Sequence, residues 1–548
     1  FPGVDVDMDE RAWALVGDQH PQHALKETLL ALGVERGDIP LLAHENTRGR
    51  ARRVLMREAL APAEQTADWL GRLDAAGGGA FVAEGAAGLS LVEAATEDEE
   101  AVAIALLLRE MLEQDGATAA VVTPDKALAR RIESKLVRWG VQPLISHGSP
   151  LRETEAGVLI ALLCDLSRDT GEPVALAGLL KHPRVMLAGA ELIQLEHKAL
   201  RGPRRYGALR ELAALPELEE AASVRDLIAR VEQVVAPLAV LIGQQETSLD
   251  QFADALALAA EHASGGFIWQ GADGEAAAQV LRGAITYGAR LGAMRGYAAP
   301  RVMLRLMDGV DVPPPRGGDP RVAIWGPLEA RLQRRDLMIL AGLNEGVWPA
   351  PPPEDPFMSR GMRDRLGLPS LDQRIGLAAH DFAQLANAPR VVLTRALRRD
   401  GAPTLASRWL WRLKTLMQGA GAALENGNRY AAWAHVLHAP EAPRAPRVPK
   451  PCPPAGKRLV QISVTQVETL IRDPYAVYAR RILGLEYLKP LAAPPGPSER
   501  GQAVHKAIER FEDGDNPELL AALLDEELRL HGISPERRLA ERERLRAS

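Results

Sequence analysis

At 548 residues the chain is too long for one hydrophobic core, so three or four domains are expected. Its 47% hydrophobic and 25% charged residues make a globular balance, and no apolar run reaches the roughly 18 residues that suggest a membrane span. A net charge of −6 argues against a uniformly basic nucleic-acid coat but leaves room for a local basic groove. Two cysteines, Cys164 and Cys452, cannot build a disulfide framework, which fits a reducing cytoplasm. The chain opens on Phe1 with no basic-then-apolar leader after it, and so reads as a piece of a longer protein.

Residues 1 to about 85 begin with a strand end at Phe1–Asp5, then His20-Pro21-Gln22 and a helical run from Ala24 to Leu32. Gly77-Gly78-Gly79 lacks the Lys-Ser/Thr of a phosphate loop and is expected to be a flexible turn. Leu89–Val92 predicts a strand. The acidic run Glu97–Glu100 then starts a helix with Ile104, Leu107, Leu108 and Leu112 on one face. Carboxylates there complement the helix dipole and need no catalytic role. Ala119–Val122 predicts a buried strand, followed by Thr123-Pro124-Asp125 and a helix from Lys126 to Trp139. Thr123 and Arg130 either face nucleotide or DNA or belong to a capped, salt-bridged helix. From about Gly157 to Thr286 the pattern is helical, and His182, His197 and His262 stand alone in it.

Val322–Trp325 and Leu337–Ala341 are nearly continuous in apolar residues and predict buried parallel strands. Each leads into a loop that begins with Gly, the kind of strand end where ligand-facing loops sit in α/β sheets. Pro351–Pro353 and Pro356 form a stiff connector. A further strand, Val391–Leu393, ends at Thr394-Arg395-Ala396. Beyond it Arg408, Trp409, Trp411 and Arg412 mix cations with aromatics. That composition suits single-strand DNA or, equally, the packing face of a helix. A Pro-rich linker spans Pro440–Pro454. Ser463 and Gln466 then fit a capping box, and Val504, Ala507, Ile508 and Phe511 fit a core face with His505 beside it.

The longest of these stretches, GPLEARLQRRDLMILAGLNEGVWP at 326–349, resembles the segment around motif V of superfamily-one helicases of the UvrD and RecB kind. It is most similar to the AddB family of bacterial double-strand-break repair helicase-nuclease subunits. AAVVTPDKALARRIESKLVRWGV at 119–141 resembles the motif IV entry, although Leu144–Pro150 replaces the family's acidic pair and Ser-Ala-Gly turn. VVLTRA at 391–396 resembles motif VI, and DGAPTLASRWLWRL at 400–413 is similar to the AddB continuation. The resemblance implies nucleotide contacts at Glu329, Gly342, Glu345, Gly346 and Arg395, with Arg395 reaching a γ-phosphate as arginine fingers do. It implies DNA contacts at Thr123, Arg408, Trp409, Trp411 and Arg412.

SVTQVETLIRDPYAVYARRILGL at 463–485, followed by RGQAVHKAIERF at 500–511, is similar to the start of a RecB-type nuclease domain of the PD-(D/E)XK class. There His505 would help bind the catalytic Mg²⁺. The family's carboxylates and Lys lie downstream of that His, and no Asp…Glu-x-Lys pattern follows here, so the chain as given is expected not to cut DNA. Asp473 stands where many AddB proteins carry a cluster cysteine, and two cysteines exclude a four-Cys iron–sulfur cluster. No complete phosphate loop is present, so it either precedes Phe1 or the parent subunit has an inactive motor.

The expected fold is α/β: superfamily-one helicase-like RecA-like lobes with a helical insertion, then the truncated start of a PD-(D/E)XK domain. The expected parts are the end of a first lobe (1–85), a second lobe (86–156 and 301–418), a helical insertion (157–300), a linker (419–461) and nuclease-domain helices (462–548). The implied role is processing of duplex DNA ends in homologous recombination beside an AddA-like partner, with ATP admissible in the complex, double- and single-stranded DNA as substrate and no membrane. Two alternatives stay open: a catalytically silent scaffold that binds DNA ends, and an active helicase with an unrelated tail.

Overall fold

In the computed structural model the apolar runs become the middle of one parallel sheet. Described are residues 3–40, 46–146, 148–187, 189–314, 317–439, 442, 445, 447–459, 461–485, 487–511, 516–534 and 537–541. The chain divides into two units, 1–147 with 314–444 and 148–313 with 445–548.

Among the described residues the first unit holds eight strands: β1 Leu89–Thr96, β2 Ala119–Val122, β3 Pro143–Ile145, β4 Asp319–Trp325, β5 Leu337–Leu340, β6 Val391–Arg399, β7 Ala402–Pro403 and β8 Glu425–Asn426. Their order is β8-β1-β6-β5-β2-β4-β3, parallel throughout, with β7 antiparallel on β6. β2 lies between β4 and β5, pairing Ala119–Val122 with Val322–Trp325 on one side and Leu337–Leu340 on the other. All four residues of β2 and all four of β5 are buried, because helices cover both faces. One face carries Thr47–Ala59, Gly78–Ala86, Gln373–Ala386 and Arg408–Gly419. The other carries Glu97–Leu112, Lys126–Val137 and Arg429–His438.

The second unit is a helical core around Leu159, Leu163, Leu227, Val231, Phe252 and Leu256. A short antiparallel pair, Ser149–Pro150 with Asp311–Val312, closes its ends. The C-terminal segment joins this core through main chain. The Gly202 N–H donates to Pro490 O at 2.9 Å, and Arg201 bridges Leu491. Val464–Arg472 starts with the expected capping box of Ser463 and Gln466. Pro497–Glu509 and Pro517–Leu530 share a small core of Ala503, Ala507, Leu524 and Leu528.

Several boundaries differ from the sequence pattern. Leu55, Met56, Leu73 and Val82 pack in the same core as Leu89 and Met338, so the packing has no break at residue 85. The helical unit runs over 148–313 rather than 157–300. The Arg429–His438 helix buries Tyr430 and Ala434 in a core of the sheet, so the expected linker over 419–461 begins too early. Gly78 and Gly79 open a helix instead of a flexible turn. Ile508 is 55% exposed, since the buried stripe of its helix is Ala503 and Ala507. The expected strand end at Phe1–Asp5 falls partly on residues outside those described, as does the charged run from Pro535 to Ser548. Gly3 lies in a turn.

Trp409 is 4% exposed, stacked on Phe382 at 5.4 Å and edge-on to Trp348 at 6.5 Å. It is a core residue, and its expected contact with DNA is ruled out by burial. Trp411, two residues on and so on another side of the helix, is 60% exposed. Trp409→Ala should therefore cost about 3–5 kcal/mol of stability, whereas Trp411→Ala should stay within about 0.5 kcal/mol. Chemical denaturation of the two variants checks the contrast, and equal losses would refute it.

Candidate functional site at the carboxyl edge of the sheet

Parallel strands end together, so their following loops gather on one edge. Here those loops are tied to each other by a buried carboxyl. Glu100 sits in the first turn of the Glu97–Leu112 helix and is 2% exposed. Its Oε1 accepts from the Gly342 N–H at 3.0 Å and from the Thr394 hydroxyl at 2.6 Å. Burial raises its pKa above the ordinary carboxylate value, and the two hydrogen bonds only partly offset this. Gly342 has φ +78°, a left-handed turn that favours glycine, and an added Cβ would sit 3.4 Å from Thr123 Oγ1. Thr123 is 5% exposed and accepts from the Asp125 N–H at 3.1 Å. Asp125 in turn caps the Lys126–Val137 helix and pairs with Arg399 at 2.7 Å.

Asn344 stitches the next layer. Its Nδ2 donates to Ala396 O at 2.7 Å and to Thr404 Oγ1 at 2.8 Å, while its Oδ1 accepts from the Ala396 N–H at 3.2 Å. The β1–β6 register places Glu93 opposite Arg395. Arg395, 8% exposed, pairs with Glu93 at 3.3 Å and donates to Thr404 O at 3.1 Å, and its Nε is buried without a partner. Glu345 accepts from the Arg408 backbone N–H and Nε, both at 3.0 Å, which fixes the start of the Arg408–Gly419 helix.

The fold thus brings Thr123, Gly342, Glu345, Arg395 and Arg408 to one edge. Glu329 is exposed in the turn after β4, and Gly346 is exposed at φ +84°. Arg412 is drawn elsewhere. Its guanidinium lies 5.2 Å over the Trp69 ring and donates to Ala61 O, and burial lowers its pKa. Sequence patterning missed Glu100, Glu93 and Asn344. The signal for Glu100 was there, since it lies four residues before Ile104 on the stripe of Leu107 and Leu108.

His505 is exposed on the Pro497–Glu509 helix. Among the described residues no three His, Cys, Asp or Glu side chains come together as a metal-binding group. The described residues therefore supply no complete set of ligands around His505. No helix among the described residues is long and apolar enough to cross a membrane.

The architecture defines an α/β protein with a doubly covered parallel sheet and a helical second unit. Its C-terminal residues 461–548 match the model of the PD-(D/E)XK nuclease superfamily, which marks a nuclease-superfamily domain at that end. Nucleases of this superfamily typically use divalent ions such as Mg²⁺. Similarity also extends to uncharacterised Rickettsia proteins. One from Rickettsia felis is 24% identical over 198 residues, 35% of this chain and 22% of its own length. One from Rickettsia typhi is 23% identical over 283 residues, 48% of this chain and 30% of its own. The chain spans less than a third of the length of these relatives.

The buried carboxyl yields a pH test. The folded protein holds the Glu100 proton more tightly than the unfolded chain does. Its contribution to stability therefore falls as pH rises above the ordinary carboxylate value, and levels off above the folded pKa. Glu100→Gln keeps the acceptor without the charge and should flatten that fall, gaining melting temperature relative to the parent at about pH 8 over pH 5. Glu100→Ala leaves the Gly342 and Thr394 donors unmatched and should lose about 1–3 kcal/mol. Thermal melts across pH decide, and parallel pH profiles for parent and Gln variant would refute the assignment.

Proposed function

We propose that the chain belongs to an AddB-like subunit of a DNA helicase-nuclease that processes double-strand ends with an AddA-like partner. The carrying observation is one polypeptide with two features in the order the resemblance implies. A parallel sheet gathers Thr123, Gly342, Glu345, Arg395 and Arg408 at its carboxyl edge, and a nuclease-superfamily segment follows at 461–548. In this reading the half-exposed Arg408 and the exposed Trp411 present a cation and an aromatic plane to single-stranded DNA. His505 is one donor toward Mg²⁺, and the process served is recombinational repair in the cytoplasm.

A second reading rests on Arg395. Its guanidinium is already engaged by Glu93 and Thr404, which suits a subunit that binds DNA ends without using ATP. The two separate by experiment. With the AddA-like partner, Mg²⁺ and an end-labelled linear duplex, His505→Ala made in the full-length protein should lower cleavage of one strand on the order of 10²-fold. Unchanged cleavage of both strands would remove His505 from the metal site. Arg395→Ala should lower ATP-dependent unwinding if this subunit uses nucleotide. Unwinding at the parental rate by a stably folded variant would favour the scaffold.

A further inference from the structure

A cavity of about 590 Å³ lies on the first unit. Its walls are the first turn of the Thr47–Ala59 helix, the 327–334 loop and the last turns of the Gln373–Ala386 helix, with Met338 of β5 in the lining. That volume lies within the range of small-molecule sites.

Its charge is unbalanced. Arg52 is 2% exposed, and every partner of its guanidinium is a carbonyl: Gly85, Ala386 at 2.8 Å, Ala388 at 3.1 Å and Ala87 at 2.7 Å. Arg48 donates to the same Ala87 oxygen and to Pro389 O at 2.5 Å, so two guanidiniums converge on one neutral acceptor. Carbonyls satisfy the hydrogen bonds but carry no net charge to oppose two cations. Burial, and then the neighbouring Arg48, pull the Arg52 pKa down to about 10, against the smaller opposing pull of the Glu425 carboxylate. Among the described lining residues Asp381 is the one carboxylate, and Arg331 already holds it at 2.6 and 3.1 Å. Arg334 has no ion pair among the described residues. At the rim Leu332 is held at φ +61° with its side chain 83% exposed, a strained backbone of the kind that persists at ligand sites.

We propose that this cavity binds a phosphate monoester with a small apolar body, its head between Arg48, Arg52 and Arg334 and its body against Met338, Leu385 and Pro327. Among the described residues the Arg48 Nε and Nη1 and the Arg334 fork have no acceptor, and guanidinium forks match phosphate oxygens. Three guanidiniums without an ion pair among the described residues favour a group of charge near −2 over a single carboxylate. The lining includes none of Thr123, Gly342, Glu345, Arg395 and Arg408 and nothing from 461–548, so the site stands or falls separately from the helicase-nuclease reading.

The probes are phenyl phosphate, benzoate, and an oligothymidylate with a 5′-phosphate or a 5′-hydroxyl, each titrated calorimetrically into the whole chain at low salt. Phenyl phosphate should bind at least about tenfold tighter than benzoate. Arg334→Gln should weaken it about tenfold without changing the ligand-free melting temperature. If the 5′-phosphorylated strand binds with the same Arg334 dependence and the 5′-hydroxyl strand does not, the phosphate belongs to a DNA end. If phenyl phosphate alone binds, the ligand is a free small molecule. No binding of phenyl phosphate, equal binding of benzoate, or full affinity in Arg334→Gln would each overturn the proposal.

Discussion

The carboxyl edge of the sheet depends on Glu100. It joins three elements that sequence keeps far apart: the first turn of a helix, the loop after β5 and the middle of β6. A backbone N–H and a hydroxyl that would otherwise be buried donors converge on one oxygen, so their desolvation is matched. The carboxyl sits where water is excluded, which biases it toward its neutral form. From it the rest follows. Gly342 must take a left-handed turn to aim its N–H, Leu343 can then donate to Thr394 O at 3.0 Å, and Asn344 comes within reach of Ala396 and Thr404.

This linkage changes how the residues of the edge are understood. Thr394 and Arg395, inside β6, and Asn344 form contacts that lock β6, β7 and the 342–346 loop together, whatever ligand the edge receives. Arg395 shows the tension most plainly. It is held by Glu93 across the parallel register, with Lys414 also 3.6 Å from Glu93, so extending it toward a ligand requires giving up an ion pair while Lys414 stays to balance the carboxylate. Lys414 therefore lowers the cost of releasing Arg395.

Legibility in the sequence followed burial. β2, β4 and β5 were readable because strands covered on both faces carry no polar alternation, and four or five apolar residues in a row leave few other options. The Ser463 and Gln466 cap was readable because it is local. Trp409 and Trp411 were not separable, since both lie in one helix with cationic neighbours and only the tertiary position of Phe382 and Trp348 decides which is buried. Glu100 was hidden by its company. Three neighbouring carboxylates made a first-turn acidic run, an arrangement common enough to mask the one member that points inward. Strand order was out of reach for the same reason that the unit boundaries were. The placement of β2 between β4 and β5 depends on pairing across a helical block of more than a hundred residues, which no local pattern encodes.

The second unit makes a related point about the nuclease-superfamily segment. Its helices share a small core, in which alanines at 503 and 507 meet Leu524 and Leu528, and such a core buries little apolar area. What fixes the segment is its docking on the helical block. Main-chain bonds link Leu200 and Gly202 to Ala492 and Pro490, Arg201 donates to Lys489 O at 3.0 Å, and Gly532 packs so closely on Arg204 that a Cβ would lie 2.6 Å from its carbonyl. Backbone pairing of this kind depends less on side-chain identity than on shape. The helical block thus acts as the platform that holds His505 and its helix in place, and a change in the 200–204 turn would reach the nuclease-superfamily segment without touching any of its own residues.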